Sequence, residues 1–234
     1  MSAVGATRDG EGTLDLVVLV SGSGTNLQSI LDAIESRRLD GRVRLVVSNR
    51  DGVQALERAR RASVRTVVLS HKAYDSRDAY DRALVDEVSA AFDACGSARR
   101  WVVLAGFMRI LTPRFLDAFS GRVLNIHPSL LPAFPGIHAQ KQALDYGVRV
   151  AGCTVHLVDH GTDTGRILAQ AAVPVLEGDD EATLGARILE QEHALLPAVL
   201  RWISEGQLSI VDGVPRYRSV VPALGLSSGR EAAR

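Results

Sequence analysis

Apolar runs of strand length alternate with segments of helical period through the first half of the chain, and few folds accommodate that rhythm. The runs fall at residues 14–20, 43–48, 66–69, 101–104 and 123–126, with helical patterns filling most of the gaps. Such alternation buries both faces of each strand and predicts an α/β fold, a mainly parallel twisted sheet with helices on both faces. The stretch DSRDAYDRALVDEVSAAF begins with a capping residue, Asp75 or Ser76, and repeats apolar residues at Tyr80, Leu84, Val88 and Ala91. After Pro128 the rhythm changes. Two strand-like runs, GCTVHLV and ILAQAAVPV, flank the turn-rich DHGTDTG and predict a β-hairpin, followed by a long helix from about Asp179. Residues 1–13 and 211–234 are expected as a disordered N-terminus and a C-terminal tail around one domain over 14–210.

Composition narrows the function classes. Lys plus Arg (27) equals Asp plus Glu (27), so no net field draws the chain to nucleic acid or an anionic membrane. The cluster Arg58, Arg60 and Arg61 reads as a solvated helix face. The two cysteines, Cys95 and Cys153, lack the spacing of a disulfide framework or a zinc site, so no metal is expected and a reducing cytoplasm fits. No apolar run approaches the roughly 20 residues that span a bilayer. Residues 1–12 lack the pattern of a signal peptide.

Three constellations carry chemistry. In VVLVSGSGTNLQSIL an apolar strand runs into Gly22, Ser23, Gly24, Thr25 and Asn26 and then into a helix, a turn whose N–H groups and helix dipole suit a phosphate. Leu27 stands where a dinucleotide fingerprint has its third glycine, and no Walker lysine follows, so no nicotinamide cofactor is expected. In VLNIHPSLLPAFPG, strand alternation puts Asn125 and His127 on one face about 6–7 Å apart. There, at the carboxyl end of a parallel strand, an amide N–H and an imidazolium N–H could stabilise an oxyanion or simply satisfy a proline-rich turn. The acid loop DHGTDTGRI offers Asp163 either as the carboxylate that orients His127 or as ordinary turn chemistry. Spacing alone does not choose.

Together these residues resemble the folate-dependent phosphoribosylglycinamide formyltransferases of purine synthesis, over roughly residues 14–210. The motif NIHPSLLP and the later Asp163 carry the resemblance, with GSGTN and QEH marking the glycinamide-ribonucleotide branch. The resemblance implies a Rossmann-like formyltransferase fold with Asn125, His127 and Asp163 as the catalytic set. It implies that Gly24, Thr25 and Asn26 hold the ribonucleotide phosphate, and that Leu189, Glu190, Gln191 and Glu192 contact its other end. Arg77, Met108, Arg109, Ile110 and Leu111, together with Asn125 and Asp159, His160, Gly161, Thr162 and Asp163, would line the folate pocket. The implied partners are glycinamide ribonucleotide and 10-formyltetrahydrofolate, the latter as formyl donor, with neither nucleic acid nor membrane, in a monomer or homodimer. Two positions depart from the pattern: Gln140 replaces a second histidine, and Thr164 stands where glycine is common. The stretch CGSARR reads as a peripheral insertion.

Glu192 lies inside the apolar stripe Leu184, Ile188, Leu195 and Val199 and needs a partner, either the substrate's ammonium or ribose hydroxyl, or an arginine. Pro197 is expected to kink or end that helix. The mechanism implied is direct attack by the ribonucleotide amine on the formyl carbon. The alternatives are a formyltetrahydrofolate hydrolase, whose relatives carry an N-terminal regulatory domain where about a dozen residues precede the first strand here, and a non-catalytic folate- or nucleotide-binding module.

Overall fold

A computed structural model of the chain describes residues 12–96 and 98–218. Its centre is a seven-stranded sheet in the order β3-β2-β1-β4-β5-β6-β7. Strands β1 (Leu14–Val20), β2 (Gly41–Ser48), β3 (Thr66–Val68), β4 (Arg100–Leu104) and β5 (Val123–His127) run parallel. The predicted hairpin forms as β6 (Val150–Leu157) and β7 (Ile167–Pro174), and β6 pairs antiparallel with β5. The order in which strands are added reverses between β1 and β4, the switch point of a Rossmann-like sheet.

Alternation along each strand separates two cores. Leu16 and Val18 of β1, Trp101 and Val103 of β4, and Leu124 and Ile126 of β5 face α1 (Thr25–Glu35), α2 (Gln54–Arg61), α5 (Ala139–Tyr146) and α6 (Glu181–Ser204). Val17, Leu19, Val102, Leu104 and Val123 face α3 (Arg77–Asp93) and α4 (Pro113–Ala118). The second core ends at β5 apart from Val158 at its margin, so Asn125 and His127 on that strand face are not sealed beneath a helix. This gap makes room for polar side chains.

Helix ends differ in a way that matters for ligands. Ser76 caps α3 by accepting from the Ala79 N–H, and Asp180 and Thr183 form a reciprocal capping box on α6. Gly24 begins α1 in the left-handed region at φ 71°, with no side-chain cap on the first turn. A Cβ at Gly24 would lie 2.6 Å from the Ala55 Cβ, so glycine is what lets α1 and α2 dock there.

Two expectations are corrected. Pro197 does not end α6, which continues to Ser204; the proline forgoes one backbone bond, while buried Leu195, Leu196, Val199 and Leu200 hold both sides of it to the core. Arg99 is not peripheral: its guanidinium donates to the Gly12, Ile203 and Ser204 carbonyls, completing the end of α6 and tying down the approach to β1. At the expected start of the C-terminal tail, β8 (Leu208–Val211) and β9 (Val214–Tyr217) form a second, two-stranded sheet. Of the termini, residues 1–11 and 219–234 lie outside the described residues, while Thr13 donates to Asp40 at 2.7 Å.

Candidate active site

Strand β5 delivers Asn125 and His127 to the same face, as alternation requires. The acid loop after β6 brings Asp163 against them, with Asp163 Oδ2 3.3 Å from His127 Nδ1. Asp163 itself sits in the left-handed region at φ 55°, and its Oδ2 accepts the Gly136 N–H at 2.8 Å, which joins the acid loop to the turn following the NIHPSLLP motif. The loop closes on Asp159, which accepts from the Gly161 N–H and, at 2.6 Å, from the Thr164 hydroxyl. Thr164, a departure from the family pattern, therefore braces the loop. Gly165 admits no substitute, since a Cβ would lie 1.7 Å from the Leu157 carbonyl oxygen.

His127 differs in one respect from the simple oxyanion reading. Its Nε2 lies 2.9 Å from the Phe134 carbonyl, so that nitrogen carries a hydrogen and both ring nitrogens have partners. Sequence reasoning missed a second imidazole in the cluster. His156 on β6 pairs directly with Asn125 in the β5–β6 register, and its Nε2 lies 3.1 Å from Asn125 Nδ2 and 3.7 Å from Asp163 Oδ1. Burial holds the His156 pKa below its ordinary value, against the Leu157 carbonyl and Asp163, which favour the charged ring. The only signal for His156 was a polar residue inside the apolar run GCTVHLV.

A second cluster lies at the glycine turn. Asn26 donates to Glu192 at 2.6 Å across the junction of α1 and α6, so the partner of Glu192 in this structure is an amide and not an arginine. Glu192 is 7% exposed, and burial raises its pKa to about 7 against the opposing bond from Asn26. Of the four residues expected along α6, Glu192 is buried, Leu189 and Gln191 are half-buried, and Glu190 faces solvent, as helical geometry demands of consecutive positions. Arg58 also departs from its solvated reading: it donates to the Ser23 carbonyl at 2.9 Å and to Gln28, while Arg60 and Arg61 stay exposed. A cavity of about 330 Å³ opens beside Thr25, Gln28, Ser29, Arg58 and His193. Burial first, and Arg58 second, lower the His193 pKa.

The residues expected around a folate fall into two groups. Met108 and Ile110 are 66% and 61% exposed after the end of β4, while Leu111 is buried. The segment is fixed by Ser21, whose hydroxyl accepts from the Met108 N–H at 2.8 Å and donates to Asn49, linking the ends of β1, β2 and β4. Arg109 lies over the Tyr80 ring at 5.5 Å, and Arg77 opens the same helix one turn earlier, exposed. In the acid loop Gly161 and Thr162 are exposed, and His160 pairs with Asp117 at 3.2 Å away from the imidazole cluster. The side chain of Gln140, in place of a histidine, lies beside Gly185 on α6, 4.0 Å from where a Cβ there would sit.

A strand-end amide and imidazole thus face a loop carboxylate at the open end of this sheet. The chain belongs to the formyl transferase family, whose sequence profile matches residues 14–200. It is similar to the phosphoribosylglycinamide formyltransferase of Escherichia coli (strain K12), with 47% identity over 197 residues that cover 84% of this chain and 90% of the relative. The enzyme of the same name from Mycobacterium tuberculosis is 48% identical over 196 residues, covering 84% and 87% of the two chains. Among solved structures, glycinamide ribonucleotide transformylase 1 from Symbiobacterium toebii matches with a TM-score of 0.82 at 50% identity, over 88% of this chain and 94% of its own.

Proposed function

We propose that the protein transfers the formyl group of 10-formyltetrahydrofolate to the primary amine of glycinamide ribonucleotide, giving formylglycinamide ribonucleotide and tetrahydrofolate. The observation that carries the reading is the pairing of the Asn125–His127–Asp163 cluster with the separate Asn26–Glu192 contact at the glycine turn. A hydrolase needs the first; an acceptor with a phosphate and an amine needs both. Backbone N–H groups at the uncapped start of α1 receive the phosphate, with Arg58 adding positive charge behind the turn. Glu192 accepts from the acceptor's hydroxyl or amine. Met108 and Ile110 cover the folate ring system, and Arg77 and Arg109 face its carboxylates.

The amine lone pair attacks the formyl carbon, and the carbonyl π electrons move to oxygen. Asn125 donates one amide N–H to that oxyanion. His127 donates from Nε2, which exchanges the Phe134 carbonyl for the substrate oxygen, while Asp163 holds Nδ1 and keeps the ring oriented. Asp163 then assists the proton from the attacking nitrogen towards the folate nitrogen, either directly or through water, and the carbon–nitrogen bond to the folate breaks. No acyl-enzyme is required. Cys153 is fully buried and burial pushes its thiol up to about 12, while the Ser129 hydroxyl donates to the Ala133 carbonyl at 2.6 Å in the turn. Incubation with donor carrying an isotopically labelled formyl carbon tests the reading: label should appear on the ribonucleotide, and label recovered only as free formate would replace the transferase with a hydrolase.

A further inference from the structure

Asn125 can stabilise an oxyanion only if its amide nitrogen, and not its carbonyl oxygen, faces the reacting carbon. The two ends of an asparagine amide have nearly the same shape, so sterics alone does not choose between them. Accepting that the protein transfers a formyl group, we propose that His156 is a positioning residue for that reaction: the lone pair on its Nε2 holds one amide hydrogen of Asn125 and so turns the other towards the formyl oxygen.

Two contacts support the assignment. His156 Nδ1 lies 2.8 Å from the Leu157 carbonyl oxygen, an acceptor only, so Nδ1 carries the hydrogen. In the neutral ring Nε2 is then an acceptor. It faces Asn125 Nδ2 at 3.1 Å, and an amide nitrogen is a donor only, so the pair is complementary in this orientation. Rotating the Asn125 amide would set its oxygen against the Nε2 lone pair unless the ring took up a second proton. His156 is 1% exposed, and burial disfavours that proton. The opposing group is Asp163, whose Oδ1 lies 3.7 Å from Nε2, beyond hydrogen-bond distance, while its Oδ2 engages Gly136 and His127.

The fold supplies this contact through register. Asn125 and His156 are directly opposed on antiparallel β5 and β6, so the side chains meet on the face that the α3 and α4 layer leaves open. The bonds Thr154 makes on the same strand, to the Ser129 carbonyl at 2.7 Å and from the Leu131 N–H at 3.0 Å, secure the turn that leaves β5. The catalytic amide is therefore oriented from the neighbouring strand, not from its own.

The test combines kinetics with spectroscopy on the full chain. His156→Leu should lower kcat about 10- to 100-fold with KM for both substrates within about 2-fold, as for an oxyanion donor lost without loss of binding. His156→Gln, which can present an acceptor oxygen, should recover part of the loss. In an Asn125→Ala background the His156→Leu change should cost less than about 3-fold more, because the group it acts through is gone. Nitrogen NMR of the wild-type ring should show hydrogen on Nδ1 and a lone pair on Nε2. Unchanged kcat in His156→Leu, a full multiplicative loss in the Asn125→Ala background, or an Nε2-protonated ring in the wild type would each overturn the positioning role; if the variants fail to fold, the NMR tautomer decides. A wild type that transfers no formyl group while its ring shows the Nδ1–H tautomer would overturn the proposed function and leave the Asn125–His156 contact standing.

Discussion

Glu192 is a carboxylate kept in an apolar stripe with one neutral partner, an arrangement that costs stability and that the proposed binding role would account for. Burial raises its pKa to about 7 in the folded chain, against about 4.3 unfolded. The folded protein therefore holds more protons between those values, and stability falls as pH rises through that window, by an amount on the order of a few kcal/mol. Glu192→Gln should abolish this fall: its melting temperature should match the wild type near pH 4 and exceed it at pH 8. The same variant should bind the ribonucleotide roughly 10-fold more weakly, the size expected for a lost hydrogen bond to a charged group. Melting curves across pH and acceptor titrations check the two halves separately. At the other cluster, His127→Ala and Asp163→Asn should each lower turnover by about two orders of magnitude in well-folded protein. Steady-state kinetics with normal circular dichroism checks this, and unchanged rates would return either residue to a structural role.

At the scale of elements, the glycine turn separates packing from binding. Gly24 combines a left-handed backbone with a hypothetical Cβ 2.6 Å from Ala55, so Gly24→Val should destabilise the docking of α1 on α2 and lower the melting temperature before any ligand is considered. A Cβ on Gly22 would meet nothing within 4 Å, so Gly22→Val should melt near the wild type and instead lose affinity for the ribonucleotide while binding folate normally. Differential scanning calorimetry and separate dissociation constants distinguish the pair. Much of this was legible in the sequence. The five parallel strands could be read because each is a short apolar run, and Asn125 and His127 because period-two alternation assigns them one face. His156 was not legible, because its partner depends on the β5–β6 register, which no spacing within the run GCTVHLV specifies. Arg58 read as solvent-facing because local charge does not reveal which arginine of a cluster a neighbouring helix will engage. Pro197 followed the local rule for helix interruption until tertiary burial on both sides overrode it.

At the scale of the whole molecule, a Rossmann-like sheet presents two clusters at one edge: a polar triplet where the α3 and α4 layer ends, and an uncapped helix start joined to α6 through Asn26 and Glu192. In the proposed function the second cluster is what a transferase adds to a hydrolase, because only a transferase must hold a second organic substrate while the formyl carbon reacts. Formyl loss from the folate is therefore expected to await that acceptor. The direct measurement is the rate of tetrahydrofolate release from 10-formyltetrahydrofolate by the purified wild-type protein, with and without glycinamide ribonucleotide. Release that needs the ribonucleotide and matches it one for one in formylated product is the expected result; release at the same rate without it would make the protein a hydrolase.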